Sequence, residues 1–274
     1  MPKATVGEVD LYYEIHGEGP PLLMINGLGA SVEMWSPFWK RLATHYQVIL
    51  FDNRGVGRSQ APAGRITVRA MADDSAGLLD SLGVDETAVY GASMGGMIAQ
   101  ELALDHPRRV RALLLGMTTA GGPHSIRPEP EVMQRLATVV NPPSGTSPLE
   151  VLWSLEYSPE YLREHRAELL REAATIRYPT TSDGYRRQAE AALTFDSYDR
   201  LPEIRAPTLV MAGTRDVLMP PKNARIIAER IPGARLRLFD GAGHGFTREK
   251  SEEATVEILR FLEQTARPIP ALVQ

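Results

Sequence analysis

Short, continuous apolar runs recur along the chain and are separated by segments with helical periodicity. The runs cover residues 22–25, 48–51, 88–90, 112–115 and 208–211. An apolar run without polar alternation is typical of a strand that is covered on both faces. Helical patterns lie between the runs, around residues 34–43, 69–82 and 95–105. This alternation of strands and helices predicts an α/β fold with a mostly parallel, doubly wound sheet.

Two segments do not follow this alternation of strands and helices. Apolar and polar positions alternate over the first sixteen residues, which predicts a β-hairpin. Residues 120–205 contain amphipathic helix patterns broken by prolines, and no convincing buried strand. We therefore predict one α/β core, residues 1–119 and 206–266, with a helical insertion at 120–205 and a C-terminal tail at 267–274. Two consecutive domains are disfavoured because neither part of the core has enough strands alone.

The composition fits a globular α/β protein and argues against several classes of function. Of the 274 residues, 43% are hydrophobic and 23% are charged, and the formal net charge is −4. An acidic balance without any basic run argues against a nucleic-acid partner. The chain has no cysteine, which excludes disulfides, thiolate metal sites and a cysteine nucleophile.

The N-terminus and the longest apolar segments predict neither a leader nor a membrane span. The chain opens Met1-Pro2-Lys3 and passes directly into a strand-like pattern, and no segment approaches the roughly 20 apolar residues of a membrane span. We expect a cytoplasmic protein that does not bind membranes. His, Asp and Glu show no metal-ligand spacing, so we expect no metal and no cofactor. The sequence leaves the oligomeric state open.

A glycine-flanked serine stands between an apolar run and a helical pattern. Gly91-Ala92-Ser93-Met94-Gly95 is a G-x-S-x-G motif in a strand–turn–helix setting. Such a sharp turn crowds its neighbours, and glycine two positions to either side leaves room. The turn would direct the helix N-terminus and the Met94 N–H at a developing oxyanion. In a chain with 23 glycines the motif alone is weak, so the nucleophile role of Ser93 depends on its partners.

The residues that would activate Ser93 follow in the order that this sheet requires. A serine hydroxyl needs a base, and the base needs an orienting carboxylate, both on loops at the carboxyl ends of strands. Of the six histidines, only His244 lies in such a loop. Asp216 follows the run at 208–211 and is the predicted acid. Asp240 is the alternative acid, but it stands at a strand end and is interpreted as a structural turn residue.

An oxyanion hole needs a second N–H opposite that of Met94. The loop Asn26-Gly27-Leu28-Gly29 follows the run at 22–25, and its glycines allow the backbone to turn tightly. The predicted donors are therefore the backbone N–H groups of Leu28 and Met94.

Together these motifs resemble the α/β-hydrolase superfamily over nearly the full chain. The matching segments are 26–29, 52–59, 91–95, 213–216 and 243–244. Within the superfamily, the chain is similar to compact bacterial carboxylesterases, enol-lactonases and cofactor-free haloperoxidases. The resemblance implies an eight-stranded sheet with an antiparallel second strand and a helical cap between strands 6 and 7. Many relatives carry His-Gly where this chain has Asn26-Gly27, which keeps the backbone donor but alters the polarity of the loop.

The expected activity is hydrolysis of small to medium carboxylic esters through an acyl-enzyme, with water as the second reactant. Lactone hydrolysis is the main alternative, followed by C–C bond hydrolysis, by perhydrolysis or haloperoxidase activity, and last by a non-enzymatic ligand receptor. Apolar residues near the catalytic loops and in the insertion predict the substrate pocket: Trp35, Met97, Met117, Trp153, Leu218, Met219 and Phe246. The insertion has ten Arg and no Lys against thirteen Asp and Glu, which disfavours anionic substrates.

Overall fold

An eight-stranded sheet with helices on both faces forms the core of the computed structural model, which describes residues 2–60, 63–140, 144–145 and 147–265. The strands are β1 (Lys3–Val6), β2 (Val9–His16), β3 (Pro21–Ile25), β4 (Gln47–Phe51), β5 (Thr87–Ala92), β6 (Val110–Gly116), β7 (Thr208–Gly213) and β8 (Arg235–Phe239). The α-helices of the described residues are α1 (Trp39–Leu42), α2 (Val68–Ser81), α3 (Met94–Asp105), α4 (Pro130–Val140), α5 (Pro148–Glu156), α6 (Pro159–Ala173), α7 (Ser182–Leu193), α8 (Lys222–Arg230), α9 (Phe246–Glu249) and α10 (Ser251–Gln264). None of these helices combines the length and apolar character needed to cross a bilayer. The predicted tail, 267–274, lies outside the described residues.

The strand order confirms the predicted parallel sheet and the predicted N-terminal hairpin. The order is β1-β2-β4-β3-β5-β6-β7-β8, with β2 antiparallel to both neighbours and β3 to β8 all parallel. The chain steps from β3 to β4 on one side and then to β5 on the other. Ligands of such sheets bind at the carboxyl ends of the strands where the direction of winding reverses.

The central strands β3 to β7 are buried on both faces, which explains why they contain continuous apolar runs. Along β3, Leu23 and Ile25 pack into the core on the side of α2, α3 and α8. Leu22 and Met24 pack into the core on the side of α1 and α10. All four side chains are completely buried. Because successive strand residues point to opposite faces, a strand covered twice has no solvent-facing position for a polar residue.

One helix prediction is wrong. The pattern at 34–43 does not form a single helix, whereas those at 69–82 and 95–105 are confirmed by α2 and α3. A 3₁₀ turn over Val32–Met34 ends before Pro37, and α1 begins only at Trp39. Proline lacks a backbone N–H and pushes the preceding residue away from helical geometry, so Pro37 divides the apolar pattern into two short turns.

The helices α4 to α7, here called the inserted helices, leave the sheet after β6 and return before β7. The two ends of this excursion meet in a bridge between Gly121 and Asp196. The inserted helices contact loops at the carboxyl ends of the strands. The Gly29 N–H, after β3, donates to Gln188 of α7 at 2.9 Å, and the Gly245 N–H, after β8, donates to the Glu156 carbonyl at 2.8 Å. The inserted helices therefore lie over the edge where the predicted site residues are found.

Candidate active site

Ser93 occupies the sharp turn between β5 and α3. Its backbone has φ 55° and ψ −119°, and a positive φ is costly for a residue with a side chain. The flanking glycines make the turn sterically feasible. A Cβ at Gly95 would lie 2.0 Å from the Ile25 carbonyl oxygen, and one at Gly91 would lie 2.3 Å from the Gly95 carbonyl oxygen. The fold thus holds Ser93 in a strained, half-buried position, as is common for residues with a chemical role.

Asp216 and His244 form a buried hydrogen-bonded pair. The distance from Nδ1 of His244 to Oδ2 of Asp216 is 2.8 Å, and the two residues are 9% and 3% exposed. The other carboxylate oxygen of Asp216 accepts the N–H groups of Leu218 at 2.9 Å and Met219 at 2.8 Å. A carboxylate acceptor requires the imidazole proton to be on Nδ1, which leaves Nε2 able to accept a proton.

The environment of His244 favours its protonated form. Burial is the largest influence and would by itself lower the pKa of the imidazole. The charge of Asp216, the hydrogen bond to Asp216 and the charge of Glu156 act in the opposite direction, and the pKa is raised above its ordinary 6.5. A more basic imidazole is a stronger proton acceptor, and the same carboxylates stabilise the imidazolium that proton transfer creates.

The three residues of the predicted triad lie on loops at one edge of the sheet. β5, β6, β7 and β8 are parallel neighbours, so the loops that follow them open on the same side. Within the described chain, the Ser93 hydroxyl makes no hydrogen bond to His244. Catalytic hydrogen bonds in ligand-free sites are often long and tighten when substrate binds. The alternative acid, Asp240, is exposed and accepts a hydrogen bond from the Thr214 hydroxyl at 3.2 Å.

The loop after β3 passes directly beside the serine. A Cβ added at Gly27 would lie 3.3 Å from the Ser93 Cβ and 3.8 Å from its Oγ. Over the part of the chain that the structure covers, the N–H groups of Leu28 and Met94 have no hydrogen-bond acceptor. Unpaired backbone N–H groups next to a nucleophile are the components of an oxyanion hole.

The Asn26 side chain holds this loop in shape. Its Oδ1 accepts the Gly27 N–H at 2.9 Å, and its Nδ2 donates to the Ser31 carbonyl at 3.1 Å. The Asn53 side chain donates to the Asn26 carbonyl at 3.1 Å. Since the amide is buried and engaged at both ends, it shapes the loop rather than offering a polar group to a ligand.

The segment 52–59 forms a structural network behind the site. Asp52 is fully buried and accepts hydrogen bonds from the Val32 N–H at 2.6 Å and from Nε of Arg58 at 3.0 Å. The Arg54 guanidinium is held by both oxygens of Asp74 on α2, each at 2.5 Å. These pairings leave Arg54 oriented toward α2 and give it a structural role.

The predicted pocket residues are buried or half-buried, and Met97, Met117 and Phe246 pack in the hydrophobic core on the two sides of the sheet. Trp35 is half-buried, with its ring 6.0 Å from that of Tyr90. Phe246 has no exposed surface and stacks on Phe239 at 4.6 Å, so its ring belongs to the core packing. The remaining members are buried or half-buried: Met97, Met117, Trp153, Leu218 and Met219.

Two residues of α7 reach the loop after β3 and were missed by the sequence analysis. The Tyr185 ring lies against Gly29, where an added Cβ would be 2.6 Å from the ring. Gln188 is fully buried, accepts the Gly29 N–H and donates to the Arg54 carbonyl at 3.0 Å. Their three-residue spacing on an amphipathic helix was the available signal, but it does not reveal what the helix face covers.

Glu249 is a third missed residue and joins the His244 loop to the inserted helices. One of its carboxylate oxygens accepts the Gly243 N–H at 2.7 Å. The other accepts the Ser158 hydroxyl at 2.5 Å, at the start of α6. The backbone next to His244 is therefore fixed from two sides.

Residues 20–249 match a family model described as the alpha/beta hydrolase fold. The chain belongs to this family, as the resemblance implied, and is an α/β-fold hydrolase. A putative carbamate hydrolase, RutD, from Azorhizobium caulinodans is 38% identical over 251 residues, covering 90% of this chain and 92% of the relative. The poly(3-hydroxyalkanoate) depolymerase of Ectopseudomonas oleovorans is 34% identical, covering 89% and 84%. The solved enol-lactonase from Burkholderia xenovorans LB400 has a TM-score of 0.83 at 30% identity, covering 96% and 100%.

Proposed function

We propose that the protein is a serine hydrolase that cleaves small to medium carboxylic esters through an acyl-enzyme. The observation that carries this proposal is the buried Asp216–His244 pair at the sheet edge where the strained turn presents Ser93. The unpaired N–H groups of Leu28 and Met94 support it further. A nucleophile, a base, an orienting acid and oxyanion donors are the four components that acyl transfer requires.

The mechanism has two steps. Ser93 Oγ attacks the ester carbonyl while His244 Nε2 takes its proton, and Asp216 stabilises the imidazolium. The N–H groups of Leu28 and Met94 bind the oxyanion of the tetrahedral intermediate. His244 then donates the proton to the departing alcohol. In the second step His244 deprotonates a water molecule, which attacks the acyl-enzyme and releases the carboxylic acid.

Residues 120–205 are assigned as a cap on a core formed by 1–119 and 206–266. The contacts of Gln188 and Thr180 with Gly29 and of Glu156 with Gly245 support this division. They bring the inserted helices to the oxyanion loop and to the His244 loop. In this assignment the core supplies the reacting groups and the cap selects the substrate.

Two other substrate classes have support from individual relatives. Hydrolysis of a carbamate would use the same residues through a carbamoyl-enzyme, and RutD of Azorhizobium caulinodans is named a putative carbamate hydrolase. Hydrolysis of a lactone would keep the leaving hydroxyl attached to the acyl-enzyme, and the enol-lactonase has a similar fold. Ester, carbamate and lactone all present a carbonyl to Ser93 and a leaving oxygen to His244, and they differ in the substituents beyond these atoms.

We expect the purified protein to hydrolyse p-nitrophenyl acetate and butyrate faster than an aryl carbamate or a γ-lactone of similar size. The reason is that an ester carbonyl is more electrophilic than a carbamate carbonyl, while a lactone also has to fit a ring under the cap. The measurement is kcat/KM for the panel, with Ser93→Ala as the blank. If a carbamate or a lactone gave the highest kcat/KM, the proposed substrate class would change and the proposed triad would stay. Equal rates for the parent and for Ser93→Ala would contradict both the substrate class and the triad.

Activity on a neutral ester is expected to fall on the acid side with a midpoint above pH 6.5. The pKa of His244 is raised, and only the neutral imidazole accepts the Ser93 proton, so protonation inactivates the enzyme as the pH falls through that pKa. The measurement is kcat/KM for p-nitrophenyl butyrate between pH 5 and pH 9 at constant ionic strength. Circular dichroism at each pH separates titration from unfolding, and a midpoint below 6.5 would contradict the expected environment of His244.

A further inference from the structure

Glu156, at the C-terminal end of α5, lies against the loop that holds His244. Its carbonyl oxygen accepts the Gly245 N–H at 2.8 Å. A Cβ added at Gly243 would lie 2.5 Å from the same oxygen. The backbone of the inserted helices therefore contacts both neighbours of His244 in the sequence. The charge of the Glu156 carboxylate raises the pKa of His244, and the charge of Asp216 raises the pKa of Glu156.

The Glu156 carboxylate has no partner in the described part of the chain. It takes part in no hydrogen bond or ion pair there, although the residue is half-buried. The other two carboxylates near His244 are engaged: Asp216 by the imidazole and two N–H groups, and Glu249 by Gly243 and Ser158. Acidic groups that are partly buried are normally paired, so one beside His244 without a partner among the described residues has acceptor capacity that a ligand can use.

Arg248 is the cation whose charge acts on Glu156, and its guanidinium is already paired with other groups. Arg248 of α9 binds Glu172 at 2.5 Å and the Tyr161 hydroxyl at 3.2 Å. It therefore contributes attraction at a distance but no direct contact with the Glu156 carboxylate. A substrate carboxylate beside His244 would therefore meet the Glu156 charge, while Arg248, the arginine that acts on Glu156 in the described part of the chain, is already paired.

We propose that Glu156 is a specificity-determining residue, whose carboxyl group accepts a hydrogen bond from a hydroxyl or N–H of the substrate and repels substrates that carry a carboxylate near the scissile bond. This inference rests on the proposed function, because it concerns substrate selection at the same site. The net negative charge of residues 120–205 disfavours anionic substrates in general, and Glu156 would be the particular side chain responsible for that preference.

The selection depends on pH through the ionisation of Glu156. Burial is the main cause that raises the pKa of its carboxyl to about 7, with the charge of Asp216 adding to the effect. The charges of His244 and Arg248 lower it. The titratable groups that face Glu156 are His244, Asp216 and Arg248 from the core, and Tyr157 and Tyr185 from the inserted helices. Burial, the larger cause, and the Glu156 charge both raise the pKa of Tyr157 and of Tyr185, so both remain neutral as Glu156 titrates.

The test compares Glu156→Gln with the parent on matched esters. Propyl butyrate is neutral, 2-hydroxyethyl butyrate has the same length and adds a donor, and carboxymethyl butyrate and monopropyl succinate place a carboxylate on either side of the ester. We expect Glu156→Gln to raise kcat/KM for at least one anionic ester about tenfold, mainly through KM, since it removes one unit of like charge. For 2-hydroxyethyl butyrate, kcat/KM should fall several-fold in the variant. For propyl butyrate, kcat/KM should change less than twofold at pH 8.

A second readout follows from the charge on His244. Because the Glu156 carboxylate raises the pKa of His244, its removal should move the acid limb of the neutral-ester profile to lower pH. Glu150→Gln, on the same helix and paired with Arg166, is the control and should change neither readout. A purely structural role for Glu156 would affect all esters alike and leave the acid limb in place.

The parent enzyme alone provides a measurement that needs no variant. The ratio of kcat/KM for the neutral ester to that for the anionic esters should rise as the pH passes from 6 to 8, because Glu156 becomes charged while the effect of His244 cancels in the ratio. If Glu156→Gln does not fold, the pH dependence of this ratio in the parent enzyme tests the role of Glu156 by itself. Unchanged discrimination in the variant, or a ratio independent of pH, overturns the role of Glu156. Absence of any ester hydrolysis by the parent overturns the proposed function instead.

Discussion

Ser93→Ala is expected to reduce kcat for ester hydrolysis by about 10⁵-fold, equivalent to about 7 kcal/mol of transition-state stabilisation. In the proposed mechanism the substitution removes the atom that forms the covalent intermediate, so the remaining activity would depend on the proposed oxyanion hole and on substrate binding. Alanine keeps a Cβ on the same strained turn, and the loss should therefore appear without a large change in stability. Steady-state kinetics with p-nitrophenyl butyrate measure the effect.

The matched control is Ser81→Ala at the end of α2, where the hydroxyl donates to the Leu78 carbonyl of the same helix. This variant should retain parental activity. Mass spectrometry after treatment with an organophosphonate should find one adduct, on the peptide that contains Ser93, in the parent and in Ser81→Ala. A Ser93→Ala enzyme that keeps more than about 1% of parental activity would remove Ser93 from the nucleophile role.

Asp216→Asn is expected to lower kcat by about 10⁴-fold. The asparagine amide occupies the same space but presents an N–H where His244 Nδ1 donates, so the imidazole is driven toward the tautomer with its proton on Nε2. That tautomer has no free nitrogen to accept the Ser93 proton. Loss of the carboxylate charge also lowers the pKa of His244, and the acid limb of the remaining activity should move to lower pH.

Asp240→Asn is the control because Asp240 is the alternative acid and lies only four residues before His244. Its carboxylate accepts one hydrogen bond from Thr214 on an exposed turn, and its loss should cost less than twofold in kcat. Urea denaturation of both variants distinguishes a catalytic defect from instability. If Asp240→Asn were the more damaging change, the acid would have to be reassigned.

The buried strands of the sheet could be predicted from the sequence because the apolar pattern that marks each strand is local. β3 and β4 are continuous apolar runs, and this pattern depends only on each strand being covered on both faces. The break in the predicted helix at 34–43 is also a local effect, since Pro37 removes one N–H and restricts its neighbour.

The inserted helices could not be interpreted in the same way. The sequence pattern indicates only that Tyr185 and Gln188 share one face of an amphipathic helix and that Glu156 is an acidic residue at the end of a helix. Their contacts with Gly29 and with the His244 loop join residues more than 80 positions apart. Helical periodicity indicates which face is buried, but it contains no information about which loop lies beneath that face.

The sequence by itself determined the fold class and nominated Ser93, Asp216, His244 and the two N–H donors, because the loops that follow parallel strands all open on the same edge of the sheet. Only the tertiary structure decided that Asp216 rather than Asp240 contacts His244, that Phe246 packs in the core, and that the Glu156 carboxylate has no hydrogen-bond or ion-pair partner among the described residues. Each of these depends on distances between side chains from separate elements. Such distances are set by packing of the whole chain, whereas motifs and periodicity record only neighbours along it.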